Sequence, residues 1–286
     1  MLVVANVLWS LNYATTKYAF GWWLPLAFSF SRFAVAGLLF SAVVLRREGS
    51  LRVSRSDVPL VVAAAGVGIL GNQLTFTYAV DNTTAGNVAL ILGAAPAFAA
   101  LFAMLAGHEH VRPRHWLALG VSIAGLGLVV QGGAGVAGAG YLGDLLAVGA
   151  ALTWATYSVM LRPLFGRYSA ARISSLMIIV GGTMLFPFSL TQLLSQDWSL
   201  PPLAWSAWVY SAIFPLLVTN LLYFRALRRI GAARATLYMY LQPFLRALFA
   251  AILLGEQITA LQVAGGAVIV LGVSLGQLMP GATVRE

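Results

Sequence analysis

Asn6, Trp9, Tyr13 and Thr16 fall three or four residues apart. On a helix they form one stripe carrying an amide, an indole, a phenol and a hydroxyl, with Asn12 beside it. Trp154, Tyr157 and Ser158 repeat the mixture in the second half of the chain. Asn72, Thr75 and Tyr78 share a face further on, Asn87 lies one turn into the next apolar run, and Asn220, Tyr223, Tyr238 and Gln242 are their later equivalents. All stand inside long apolar runs, where an unsatisfied polar group is costly and needs a partner or a ligand. Such groups hold a small molecule by hydrogen bonds and ring contact. They include no nucleophile with an adjacent base, so bond breaking is not their chemistry.

Two arginines also stand inside apolar runs. Arg246 lies about 12 Å from the end of its run at 1.5 Å per residue, and a guanidinium grips a carboxylate through two parallel hydrogen bonds. Arg32 lies at similar depth, within snorkelling reach of the surface. Pro96 and Pro243 each remove a backbone donor, freeing the carbonyls of Leu92 and Met239. Those carbonyls suit a hydroxyl or water better than a substrate ammonium, and the prolines mark hinges or gates. The expected substrate-binding set is Trp9, Asn12, Tyr13, Asn72, Tyr78, Asn87, Trp154, Tyr157, Tyr238, Gln242 and Arg246. Two alternatives stand beside it: an amide in a membrane helix commonly bonds another helix, and Trp9 and Trp154 serve packing as readily as a cavity.

Other chemistries lack their residues. There is no Cys, and all three histidines, His108, His110 and His115, cluster around one short connection, leaving none within the bilayer to activate a Ser or bind a catalytic metal. His108, Glu109 and His110 read as a solvated loop. Gln131 to Gly140 is rich in glycine but lacks the Lys-Ser/Thr of a phosphate loop, and reads as a flexible linker. Neither a cofactor nor a metal is expected. Asp81, Asp144, Asp197 and Glu256 all lie near run ends, so no carboxylate stands at mid-depth where a proton relay is normally built. Proton coupling is therefore not supported, and for any molecule that such a site moves the expectation is movement down its own gradient, or coupling through a group that the sequence does not identify.

The elements that must position these residues are membrane helices. Hydrophobic residues make up 60% of the chain and charged ones 9%, with a mean hydropathy of +0.87; soluble domains carry roughly 25% charged residues. Ten apolar runs fit a bilayer core of about 30 Å: 1–20, 26–45, 58–80, 84–106, 115–131, 142–161, 173–194, 203–224, 235–254 and 258–279. Arginines fill every second connection: Arg46, Arg47, Arg52 and Arg55; Arg112 and Arg114; Arg162, Arg167 and Arg172; Arg225, Arg228, Arg229 and Arg234. Positive flanks stay on the side of synthesis, which puts the even connections and both termini in the cytoplasm, in a bacterial inner membrane. The net charge of +9 is spread over separate loops, so nucleic acid is not an expected partner. Met1 opens directly in the first run, which reads as a retained span rather than a signal peptide, and a longer native N-terminus is left open.

The sequence also repeats. A shift of 147 lays Gln73 to Glu109 on Asn220 to Glu256, matching Pro96 with Pro243 and Phe102 with Phe249, and a shift of 145 lays Trp9 on Trp154 and Lys17 on Arg162. Each half holds five runs, and an odd number puts the copies in opposite orientations. The expected architecture is thus an all-α polytopic membrane protein, ten transmembrane helices as two inverted five-helix repeats over 1–131 and 141–279. That is the usual plan of secondary transporters, and it favours the cavity reading of Trp9 and Trp154.

The order of LWSLNY with Lys17 in the first run, Arg32 in the second, mid-run Pro96 and Pro243, and the Leu254-Gly255-Glu256 turn resembles the drug/metabolite transporter superfamily with EamA-type repeats, most closely the YddG-type bacterial amino-acid exporters. The resemblance covers essentially the whole chain. It implies a basket-like fold, a central cavity, alternating access, export of neutral, aromatic and related amino acids or similar metabolites, and a second helix at the periphery, away from the pathway. The partners are then a small-molecule substrate and membrane lipids, with a monomer sufficient for transport. Export of cationic drugs or polyamines is the runner-up, although such cations favour a buried carboxylate. Sugar phosphates would need several converging cations, and an intramembrane enzyme is the remote alternative. Glycines of the fifth and tenth runs, including Gly272 and Gly276, suit either a dimer contact or close packing within one bundle, so oligomeric state is left open.

Overall fold

The apolar runs are largely helical in the computed structural model, which describes residues 1–105, 113–133, 136, 140–230 and 242–278, and no strand occurs among these residues. In chain order they are α1 (Leu2–Ala19), α2 (Pro25–Glu48), α3 (Val58–Ala65), α4 (Asn72–Asn82), α5 (Ala85–Leu92), α6 (Ala95–Leu105), α7 (Pro113–Gly133), α8 (Tyr141–Met160), α9 (Arg162–Phe165), α10 (Ala170–Ser195), α11 (Pro202–Ile213), α12 (Thr219–Ile230), α13 (Gln242–Leu254) and α14 (Ala260–Leu278). Among the described residues, seven helical stretches are long and apolar enough to cross a membrane: Pro25–Glu48, Arg55–Asn82, Ala85–Ala103, Trp116–Gly133, Tyr141–Phe165, Ala170–Ser195 and Pro202–Tyr223. Shorter apolar helices cover Phe244–Leu254 and Ala260–Leu275. His108, Glu109 and His110, half of the glycine linker, Tyr238 and Met239 lie outside the described residues.

Local chemistry sets the ends. Pro25 and Pro202 start helices where a missing N–H costs nothing, the Thr84 and Ser169 hydroxyls accept from Asn87 N and Arg172 N, and Gly49 ends α2 at φ 71, a left-handed conformation that favours glycine. The fourth run is interrupted. Gly93 N and Ala94 N turn back to Leu90 O and Ile91 O at 3.0 Å, so the break falls just before Pro96, the second residue of α6. Two wide π turns, Gly66–Gly71 and Phe214–Val218, sit inside longer helices. Pro215 explains the second: its ring clashes with an α-helical turn, and the wider turn relieves it. The offset of 147 that relates the halves in sequence carries 66–71 onto 213–218.

With lipid as apolar as leucine, helices associate by close contact and shared hydrogen bonds. The α7/α14 pair does so through glycine. A Cβ at Gly125 would meet Gly265 O and Ile269 N at 2.7 Å, one at Gly265 would meet Gly125 O at 2.7 Å, and one at Gly272 would meet the Ser122 hydroxyl at 2.4 Å. Gly272 thus packs within this bundle; the Gly276 side of the motif is not described. Elsewhere Ser41 and Ser175 join α2 to α10 at 2.8 Å, and Ser29 and Thr77 join α2 to α4 at 2.7 Å.

Contacts sort the connections by end. Leu24 N donates to Gln196 Oε1 at 2.7 Å, Gly140 N to Thr83 Oγ1 at 3.3 Å, and Lys17 reaches the carbonyls of 80–83, so the first, third, fifth and seventh connections share one end. At the other end the second and sixth meet. Asp57 accepts from Arg167 at 2.5 Å and from the Tyr168 hydroxyl at 2.7 Å, and Glu48 accepts from Ser169 at 2.6 Å and from Arg172 at 3.3 Å.

Candidate functional site

A cavity of about 320 Å³ opens among α1, α2, α4, α8, α13 and the two π turns. The α1 stripe forms one wall. Trp9 donates its Nε1 hydrogen to Pro215 O at 2.9 Å and sets its ring 5.7 Å from Tyr223. Asn12 Oδ1 accepts from the Ser211 hydroxyl at 2.5 Å. Tyr13 stands edge-on to Phe76, ring centres 5.2 Å apart. Asn6 and Thr16, on the same stripe, lie behind the cavity surface: Asn6 bonds Leu2 O and accepts from Gln242 Nε2 at 2.8 Å.

Both intramembrane arginines line this space. The Arg246 guanidinium lies 4.1 Å over the Tyr13 ring and donates to Gln242 Oε1, so Asn6, Gln242 and Arg246 form one relay, each orienting the next. Arg32 is 2% exposed. It donates to Ser211 at 3.0 Å and Gln73 at 2.8 Å and lies 5.4 Å from the Phe28 and Phe33 rings. The expectation that Arg32 stands at the periphery, snorkelling, is therefore corrected. Depth along a helix does not tell which way a side chain turns, and Ser211 and Gln73 supply inward acceptors that replace water. Among the described residues neither arginine meets a carboxylate.

On the opposite wall Asn72 donates to Ala150 O at 2.8 Å and to Thr153 at 3.2 Å, and Trp154 and Tyr157 stack at a tilt, centres 5.5 Å apart. Tyr157 sits hard against Gly68, where a Cβ would come within 2.0 Å of its ring. Pro96 lines the cavity, and Pro243 is the second residue of α13. Of the expected set, Trp9, Asn12, Tyr13, Asn72, Trp154, Tyr157, Gln242 and Arg246 meet at this cavity, while Tyr78 and Asn87 lie away from it. Gln73, Ser211 and Phe76 are lining or supporting residues that spacing did not single out. Gln73 and Ser211 carried the usable signal, polarity inside an apolar run.

Asn87 belongs to a second polar cluster. It is fully buried, donates to Asp144 Oδ1 at 3.0 Å and accepts from Gln262 at 2.5 Å, while Thr83 donates to the same Asp144 oxygen at 2.8 Å. Nearby, Lys17 Nζ donates to Val80, Asp81 and Thr83 carbonyls at 2.6, 3.1 and 2.9 Å, and Glu256 accepts from Ala85 N at 2.8 Å and Gly86 N at 2.9 Å. A cation thus sits on the C-terminus of α4 and an anion on the N-terminus of α5, each complementing the helix dipole.

Comparison with known proteins matches the profile described as the EamA-like transporter family to residues 1–131 and 141–276. A transporter of Archaeoglobus fulgidus is 25% identical over 96% of this chain and 95% of its own length. A probable terminal-alkyne amino-acid exporter of Streptantibioticus cattleyicolor is 24% identical over 96% and 91%, and the inner membrane transporter YedA of Escherichia coli is 26% identical over 96% and 88%. One crystal structure superposes with a TM-score of 0.69 at 20% identity, covering 100% of this chain and 97% of that one.

Proposed function

The chain belongs to the EamA-like transporter family, and from that premise we propose that it exports amino acids and related metabolites from the cytoplasm by alternating access through the cavity between α1 and α8. The observation that carries the substrate reading is Arg246 held over Tyr13 at 4.1 Å inside an aromatic-walled space of about 320 Å³. A guanidinium there holds a carboxylate, and Trp9, Phe76 and Trp154 accept a side chain. The relative named as an amino-acid exporter supports this substrate class. The paired π turns and the grouping of odd and even connections at opposite ends support two inverted repeats of five spans over 1–131 and 141–279, and the arginine-rich even connections support cytoplasmic termini in an inner membrane. Two guanidiniums beside the cavity count against cationic drugs and polyamines. With no carboxylate in the described lining, the substrate's own gradient drives transport.

The test is uptake into vesicles holding the purified protein, comparing labelled leucine and phenylalanine with a quaternary ammonium compound, with and without a pH gradient. Amino-acid uptake that survives collapse of the gradient and falls in Trp154→Ala, but not in Tyr78→Ala, is the expected result. Uptake of the quaternary ammonium compound alone overturns the substrate class, and a strict requirement for the pH gradient overturns the coupling.

A further inference from the structure

We infer that the best-held substrates carry two negative charges on oxygen, one engaged by Arg246 and one by Arg32. The inference rests on the cavity being the transport site and goes beyond it by naming the charge of the cargo. Arg246 and Arg32 reach the cavity from α13 and α2 and converge on consecutive residues of α1: Arg246 stacks over Tyr13, and Arg32 bonds the Ser211 hydroxyl that donates to Asn12. Among the described residues the hydrogen-bond partners of both guanidiniums are uncharged. They are Gln242 for Arg246 and Ser211 and Gln73 for Arg32, and the Nε atoms of both are buried without a hydrogen-bond partner among the described residues.

An arginine offers five N–H donors, and Arg32 uses two of them on the protein. A buried cation without a counter-charge is costly and marks a functional position, and here two share one cavity. A zwitterion supplies one carboxylate, which engages Arg246 and leaves Arg32 unmatched, and its ammonium meets no acidic side chain in the described lining. A dianion neutralises both. The space, about 320 Å³, falls within the roughly 300–1,000 Å³ of small-molecule pockets, room for a small dicarboxylate or a phosphate monoester.

The test uses full-length protein in lipid vesicles and four probes: succinate, its monoamide succinamate, glucose 6-phosphate and leucine. Uptake of each is measured directly, and each is measured as a competitor of the others. We expect succinate or glucose 6-phosphate to compete at a concentration at least tenfold below succinamate. A charge-assisted hydrogen bond at each arginine corresponds to about tenfold or more. Preference for succinate assigns the charges to two carboxylates, and preference for glucose 6-phosphate assigns them to one phosphate. In Arg246→Gln and, separately, Arg32→Gln the dianion preference should shrink to within about threefold. Should Arg32→Gln fail to fold, the wild-type ratio and Arg246→Gln decide the matter. Leucine uptake with no preference for either dianion overturns the charge inference and leaves the proposed exporter standing. Uptake of none of the four overturns the cavity assignment and the inference with it.

Discussion

The α7/α14 crossing makes a prediction that one helix can test against itself. Gly125 and Gly127 are two residues apart, yet a Cβ at Gly125 meets the Gly265 carbonyl and the Ile269 amide at 2.7 Å, whereas one at Gly127 meets nothing within 4 Å. Alanine at either site gains the same helix propensity, about 0.8–1 kcal/mol, so that term cancels in the comparison. What is left is packing. Both close atoms at Gly125 belong to backbone, which cannot rotate aside, so the helices must part by about 0.7 Å to restore a contact of 3.4 Å. A gap of 0.5–1 Å forfeits a quarter to a half of each dispersion contact, and overpacking of this kind costs about 1–3 kcal/mol. Gly125→Ala should therefore be less stable than Gly127→Ala by about 1–3 kcal/mol, and Gly265→Ala should behave like Gly125→Ala because its Cβ meets Gly125 O at 2.7 Å. The assay is reversible unfolding of full-length protein in mixed micelles, followed by tryptophan fluorescence. Gly125→Ala and Gly127→Ala within about 0.5 kcal/mol of each other would refute the reasoning.

Further outcomes are expected elsewhere. Gly68→Ala places a methyl within 2.0–2.7 Å of Tyr157 and should lower uptake at least tenfold by pushing that ring into the cavity; unchanged uptake counts against Tyr157 as a wall. Lys17→Met strips three carbonyl contacts from the C-terminus of α4 and should cost about 1.5–3 kcal/mol in the same unfolding assay, the usual value of a charged hydrogen bond. Glu256→Ala uncovers two amides, at Ala85 and Gly86, and should cost about 1–3 kcal/mol, with Glu256→Gln about half of that because one acceptor is kept. Trp9→Phe keeps the ring but deletes the bond to Pro215 O, so it should weaken transport by less than Trp9→Ala; equal losses would mean that the indole N–H alone matters.

Helical spacing and the half-to-half match pointed Trp9, Tyr13 and Trp154 toward a common cavity, and depth in the ninth run with guanidinium chemistry pointed Arg246 there, because all of these are properties of the chain itself. Direction across the bundle is not. Arg32 and Asn87 show the two ways this fails: Arg32 has the depth of a snorkelling side chain yet is turned inward by Ser211 and Gln73, and Asn87 has the polarity of a ligand contact yet spends it on Asp144 and Gln262. Those partners are 179, 41, 57 and 175 residues away, so only the folded chain shows them. The break before Pro96 follows the expected position of a proline interruption, but the pair of π turns had no counterpart in the periodicity, since one extra residue per turn is invisible against scattered polar positions.

Those π turns have a mechanical meaning. In an α-helix each residue advances the azimuth by about 100°; a π turn absorbs one residue without that advance. If the turn at 66–71 tightened to ordinary pitch, everything beyond it would be indexed by one tooth, like a pinion slipping one notch on its rack. Asn72, Gln73 and Phe76 would swing off the cavity together and their neighbours would replace them, with the helix still whole. The second turn, at 214–218, gives the other half the same notch. A chain with two such notches can exchange the faces it shows to a cargo by turning about helix axes, without separating the tightly interlocked α7 and α14.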